Sequence, residues 1–148
     1  MLTLKRKAFA YITHAHHLLV LSHPAAPEAG IQVPAGTVEP GERPEAAVLR
    51  EAREETGLSD LELSGFLGEQ IRPMADYGTH EDHHRYFFHL LHPSEPQISW
   101  RHAEMLPSDG TAGPIVFEFF WVDLSREIPE LIADHDFFLH ELCDRLSL

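Results

Sequence analysis

The sequence predicts a single mixed α/β domain with several strands and two helices, and three observations predict it. Short runs rich in β-branched and aromatic residues recur along the chain. One segment, residues 44–56, carries both a helix start and a helix stop. An apolar pattern with helical spacing closes the chain. The length of 148 residues suits one real core, so residues 1–148 are read as one domain.

Residues 7–13 and 18–22 are β-prone runs separated by the polar His14-Ala15-His16-His17, the pattern of a hairpin. Residues 23–28 contain two prolines and read as a loop. Residues 31–33 read as a brief strand stopped by Pro34. From 44 to 56, Pro44 suits the first helical turn and Gly57 the position just past the last. Residues 61–71 read as a strand with an irregularity at Gly65 or Gly68.

Residues 73–84 (PMADYGTHEDHH) read as a long polar loop. Residues 85–91 and 115–122 are aromatic-rich strands, and residues 101–114 read as the loop between them. From Pro129 onward, Leu131, Phe138, Leu142 and Leu146, with Leu139 beside them, predict a C-terminal helix packed on the sheet.

Composition narrows the function. A hydrophobic fraction of 43% and a charged fraction of 24% describe an ordinary globular protein. The 24 acidic residues outweigh 11 basic ones, which argues against duplex nucleic acid or an anionic membrane as partner. The one basic run, residues 5–7, falls short of a binding patch. Such a protein still binds a phosphorylated ligand when a divalent cation sits between them. The one cysteine, Cys143, excludes an internal disulfide and a cysteine-based zinc cage and reads as a core residue. No apolar run approaches the roughly 18 residues of a membrane span, and a cytoplasmic location is the expectation.

The helix at 44–56 concentrates the chemistry. At about 100° per residue, Val48, Leu49 and Ala52 form an apolar stripe, and Glu51, Glu54 and Glu55 converge beside it. Glu51 and Glu55 are an i,i+4 like-charge pair, costing a few tenths of a kcal/mol. They also lie in the last turns, where the helix dipole disfavours anions. Arg50 offsets one of them; a cation would satisfy the rest. Hard carboxylate oxygens suit Mg²⁺ or Mn²⁺. The plain alternative is a solvated charged face.

What precedes the helix decides between these. Residues 36–58, GTVEPGERPEAAVLREAREETGL, resemble the Nudix signature, with Gly36, Glu42, Arg50, Glu51, Glu54, Glu55 and Gly57 at the fixed positions. Ala52 and Leu58 fill the aliphatic slots. Chance agreement at seven fixed positions is on the order of 10⁻⁸ per start site.

The resemblance implies an α/β/α sandwich with a mixed sheet and a loop-helix-loop motif. It also implies a Mg²⁺-dependent hydrolase, with Mn²⁺ as a substitute, acting on a nucleoside diphosphate linked to another group. Glu54 and Glu55 would then be metal ligands, and Glu51 a third ligand or the base. The Gly36 carbonyl would join them, Arg50 would hold the glutamates, and Glu42 would brace the loop.

A further acid from outside the motif is expected, with Glu118 first because it lies within an apolar strand, and Glu81, Asp82 and Glu104 as others. Neither His16-His17 nor His83-His84 has the spacing of a helical zinc site. His83 or His84 is expected to reach substrate, and Tyr77, Tyr86 or Phe87 to stack on a base.

The substrate cues conflict. Pro73 stands where the resemblance implies an ADP-ribose-type substrate, the favoured reading. Gln32-Val33-Pro34 resembles the lead-in of dinucleoside polyphosphate and RNA 5′-end hydrolases, which makes Gln32 a candidate substrate contact. The expected partner is a small nucleoside diphosphate derivative, and a homodimer is compatible with the sequence. The competing classes are a nucleotide-sensing module without activity and a histidine-rich metal store.

Overall fold

Alternation along β1 (Thr3–His14) sets up two cores. Ala8, Ala10 and Ile12 point to one side and Phe9 and Tyr11 to the other, and all five are buried. β2 (His17–Ser22) repeats the pattern, with Leu19 and Leu21 opposed to Leu18 and Val20. A strand buried on both faces needs a layer on each, and the computed structural model, describing residues 3–104 and 114–148, provides both.

The layers lie either side of a seven-stranded sheet ordered β4 (Glu62–Pro73), β5 (Glu81–Leu91), β1, β2, β7 (Ile115–Asp123) and β6 (Ser99–Glu104), with β3 (Ala35–Thr37) paired to β1. On one face α1 (Pro44–Thr56) contributes Ala47, Val48 and Ala52. On the other α2 (Leu139–Arg145) contributes Leu139, Leu142 and Cys143. Each large aliphatic buried here is worth about 1.5–3 kcal/mol. The sheet is mixed: β1 runs parallel to β5 (Glu81–Leu91), and the other pairings are antiparallel. The mixed α/β class, the helix at 44–56 and the C-terminal helix agree with the sequence.

Several boundaries differ, beginning with β1, which starts at Thr3 rather than residue 7. Residues 31–33 make only an isolated bridge between Gln32 and Leu21. The Val33 N–H is taken by His135 Nδ1 at 3.1 Å, so pairing resumes at Ala35. β5 starts at Glu81 rather than Arg85, because pairing with β1 begins at Thr3 opposite Glu81. His83 and His84 are therefore strand residues, and the polar loop shrinks to residues 74–80.

β6 (Ser99–Glu104) occupies the start of the expected 101–114 loop; positions 105–113 of that loop lie outside the described residues. β7 (Ile115–Asp123) follows. The C-terminal helix is shorter than its apolar pattern, because Ala133 and Asp134 adopt positive φ of 50° and 62°. Leu131 and Phe138 pack into the core from irregular backbone ahead of it.

β4 (Glu62–Pro73) carries irregularities at both glycines, between Leu63 and Gly65 and between Phe66 and Gly68. Both have a packing reason. A Cβ at Gly65 would meet Arg145 Nη2 at 2.7 Å, and one at Gly68 would meet Phe138 Cε1 at 2.4 Å.

Candidate active site

Helix α1 positions the acidic residues by its two ends. Pro44 opens it, and Gly57 closes it in the left-handed conformation at φ 79°, its N–H donating to the Arg53 carbonyl at 2.9 Å. The final carbonyls are met by the sheet. Trp100 Nε1–H donates to the Thr56 carbonyl at 2.9 Å, and His102 Nε2–H to the Glu54 carbonyl at 3.0 Å. Trp100, His102 and Glu104 alternate along β6, so the docking that caps the helix also delivers Glu104.

The result is a carboxylate group assembled from two elements. Glu51, Glu54 and Glu104 each offer an oxygen, all within 4.8 Å of one another, with Glu51 and Glu104 buried and Glu54 exposed. Glu55, one turn beyond Glu51, is also buried and lines the adjoining cavity with Glu104.

Glu51 is the most constrained of them. It is 1% exposed, and its Oε1 accepts from Arg50 Nη1 at 2.8 Å. Its buried Oε2 has no hydrogen-bond partner. Burial pushes its pKa up, against the opposing pull of Arg50. Room for the side chain comes from Gly36 on β3: a Cβ there would lie 2.1 Å from Glu51 Cδ.

Arg50 is itself held by the loop. Its Nε and Nη2 donate to the two oxygens of Glu42, each at 2.9 Å, and Nη2 also donates to the Thr37 carbonyl at 3.1 Å. That fork holds the Glu42 carboxyl well down, at about 2. Glu42 accepts in addition from the Glu39 N–H at 3.0 Å, which ties the loop to the helix. The i,i+4 contact expected from the sequence, Arg50 to Glu54, is the longer one at 3.7 Å.

A cavity of about 430 Å³ opens beside these carboxylates. Gly36, Glu55 and Glu104 form one wall. Phe9, Phe117 and Tyr77 supply aromatic surface, and Lys7, His83 and Arg85 supply polar and cationic groups. Gln32 also lines it, with its amide Nε2 donating to the Ala29 carbonyl.

Some expected contacts fall elsewhere. His84 points away from the cavity residues, stacked on Tyr86 at 4.4 Å and 2.7 Å from Glu69. Phe87 is core, stacked on Phe9 at 4.7 Å. Glu81 pairs with Lys5 at 2.9 Å, and Asp82 stands in β5 opposite Leu4 and Pro73.

Glu118 stands apart from this group. Its neighbours Phe117 and Phe119 pack on the α1 side of the sheet, so Glu118 faces the other side, paired with Arg101 at 3.1 Å. Among the described residues it is Glu104, not Glu118, whose carboxylate is grouped with Glu51 and Glu54.

The donor set fits a divalent cation. It is made of hard carboxylate oxygens, it includes a buried oxygen without a partner, and the Gly36 cradle keeps that oxygen in place. Lys7, Arg85, Trp100 and His102 escaped the sequence reading. A period-two pattern of Trp100, His102 and Glu104 is the signal that exposes the last two.

Fold and site together define a hydrolase of phosphoanhydride bonds. The family model of the NUDIX domain matches residues 3–142, and the chain belongs to that family. Solved structures agree in fold. A NUDIX-family hydrolase from Clostridium perfringens is 17% identical, with 97% of this chain and 96% of that chain covered and a TM-score of 0.63. A MutT protein from Methanosarcina mazei Go1 is 16% identical over 99% of this chain and 94% of its own, with a TM-score of 0.64. The dihydroneopterin triphosphate pyrophosphohydrolase of E. coli is 20% identical over 84% and 85%, with a TM-score of 0.58. Among curated protein sequences none matches. No helix among the described residues is long and apolar enough to cross a membrane.

Proposed function

We propose that this chain is a Mg²⁺-dependent pyrophosphohydrolase acting on a nucleoside diphosphate linked to another moiety, of the ADP-ribose or nucleotide-sugar kind, with Mn²⁺ able to substitute. One observation carries the reading: the buried, unpartnered Glu51 Oε2 is grouped with Glu54 and Glu104, and Glu104 lines a cavity sized for a small ligand.

Bound there, a divalent cation would neutralise phosphate charge and lower the pKa of water. The protein's share is positioning. Glu51, Glu54 and Glu104 hold the cation, with Glu55 next to them. Arg50, forked to Glu42, fixes the Glu51 carboxylate, and its bond to the Thr37 carbonyl ties it to the strand that carries Gly36. Glu51 is either the third ligand or, with Glu54 and Glu104 holding the cation, the base that takes a proton from the attacking water. Lys7, which lines the cavity, would offset developing phosphate charge. Phe9, Tyr77 and Phe117 offer surface for a base.

The experiment is a panel of nucleoside diphosphate derivatives with Mg²⁺, products identified by mass. Turnover that vanishes with chelator and drops at least about 100-fold in Glu51→Gln and Glu54→Gln supports the reading. Ligand binding with no metal-dependent turnover across the panel would show a sensing module instead.

A further inference from the structure

Arg85 is a buried cation in a strongly acidic protein, yet no carboxylate is paired with it. It is 1% exposed, and among the described residues no Asp or Glu makes a salt bridge to it. Its Nη1 donates to the Ala133 carbonyl, its Nη2 among the described residues meets only the Met74 sulfur at 3.6 Å, and its Cζ lies 4.7 Å above the Phe9 ring; Asp134, whose charge it feels, is paired with Arg72 at 3.1 Å. The buried Nε has no partner. The Nε–Nη2 edge, the fork that matches two oxygens of one oxyanion, is thus left without a strong acceptor.

A buried, unpaired guanidinium is destabilising unless something compensates it. Burial accordingly pulls the Arg85 pKa down to about 10, which leaves the group charged at neutral pH. The cation lines the cavity described above. So does His83, two residues earlier on the same face of β5, whose buried Nδ1 is a second polar atom without a partner. Two independent orphans facing one cavity point to a ligand that satisfies them.

Their place in the sheet says which part of a substrate this is. Arg85 is opposite Lys7, and Lys7 is opposite Thr37, next to Gly36. Gly36 turns its Cα toward Glu51 on the α1 face, so Thr37, Lys7 and Arg85 point to the other face; Lys7 Nζ donates to Thr37 Oγ1 at 3.0 Å. Arg85 is two strand spacings, roughly 10 Å, from β3 and around its edge from the carboxylates. Arg85 and the Glu51 cradle thus lie on opposite faces of the sheet, and a ligand that meets both passes around the edge of β3.

We propose that Arg85, with His83, forms a specificity subsite for a second anionic group on the substrate, a phosphate monoester or a carboxylate carried by the moiety beyond the scissile diphosphate. The proposal rests on the cavity being the substrate site. Within the nucleotide-sugar kind it selects derivatives whose sugar-like moiety carries its own negative charge over ADP-ribose itself, whose distal ribose is neutral.

The test uses the full chain in chelator, so that no divalent cation contributes, with inorganic phosphate and acetate as probes at constant ionic strength. The wild-type Tm rises with phosphate or acetate, and the Arg85 Nε–H resonance shifts saturably. The stronger responder of the two names the group. Arg85→Met melts no lower than wild type without anion, because an unpaired buried charge has been removed, and gains nothing from either probe beyond the general salt effect. Glu54→Gln responds like wild type.

In turnover, Arg85→Lys raises KM about tenfold or more for substrates with the extra anionic group and leaves those without it within about twofold. A wild type unresponsive to both probes, or an Arg85→Met protein that responds equally, overturns the subsite. Failure of hydrolysis with an intact anion response overturns the enzymatic reading alone.

Discussion

Gly36 and Glu51 share one volume: the glycine leaves empty the space that the Glu51 carboxylate fills, and a Cβ would come within 2.1 Å of Glu51 Cδ. Gly36→Ala therefore displaces the best-buried carboxylate without touching the cavity's other walls. Metal affinity is expected to fall by about 10–100-fold, the range seen when a ligand loses its support. Titration calorimetry with Mn²⁺ checks this, and unchanged affinity would mean that Glu51 is not a ligand.

Glu104 and Glu118 separate two versions of the site. Glu104→Gln is expected to weaken cation binding at least about tenfold, since it removes one of three grouped oxygens. Glu118→Gln should stay within about twofold, because it breaks only an exposed pair with Arg101, worth under about 1 kcal/mol. The reverse ranking would move the outside ligand to the other face.

Tyr11 bonds both ends of the segment that leads into α2. Its hydroxyl donates to the His135 carbonyl and accepts from the Phe138 N–H at 3.2 Å. Tyr11→Phe leaves both without this partner, at a cost of about 1–3 kcal/mol. Thermal unfolding should show a Tm lower by several degrees, with activity at low temperature retained.

Two buried histidines make the protein acid-sensitive. Burial holds His89 at about 4 and His135 at about 3, both below the usual 6.5. The folded values are depressed, so between pH 6.5 and 4 the unfolded chain binds more protons than the native one. Stability is then fully present above pH 6.5 and lost as pH falls, with a slope approaching about 1.4 kcal/mol per pH unit per histidine. Denaturant unfolding from pH 7 to 4.5 measures it, and His135→Gln should flatten the slope.

The legible part of this chain is its local part. Residues 36–58 state their chemistry in one stretch because Glu51, Glu54 and Glu55 meet by helical periodicity alone, and Pro44 and Gly57 mark the ends with their own backbone preferences. Glu104 was only one of four candidate acids, because its arrival depends on Trp100 and His102 docking against a helix more than forty residues away. In the sequence Arg85 is no more than the first residue of an aromatic-rich strand; only the parallel pairing with β1 carries it into the interior. Glu118 misled because an acid between apolar neighbours reads as functional, whereas on β7 it takes the solvent-side place in the alternation.

The parallel pairing of β1 with β5 also orders events in time. Thr3 meets Glu81 and Thr13 meets Leu91, so the sheet's central contact closes a loop that contains the whole motif. Contacts so distant along the chain form slowly, on the millisecond-to-second scale typical of such topologies. Until they form, Lys7 and Arg85 are not neighbours, even if α1 is already helical. In a refolding experiment, competence to bind ligand should appear with the last cooperative phase.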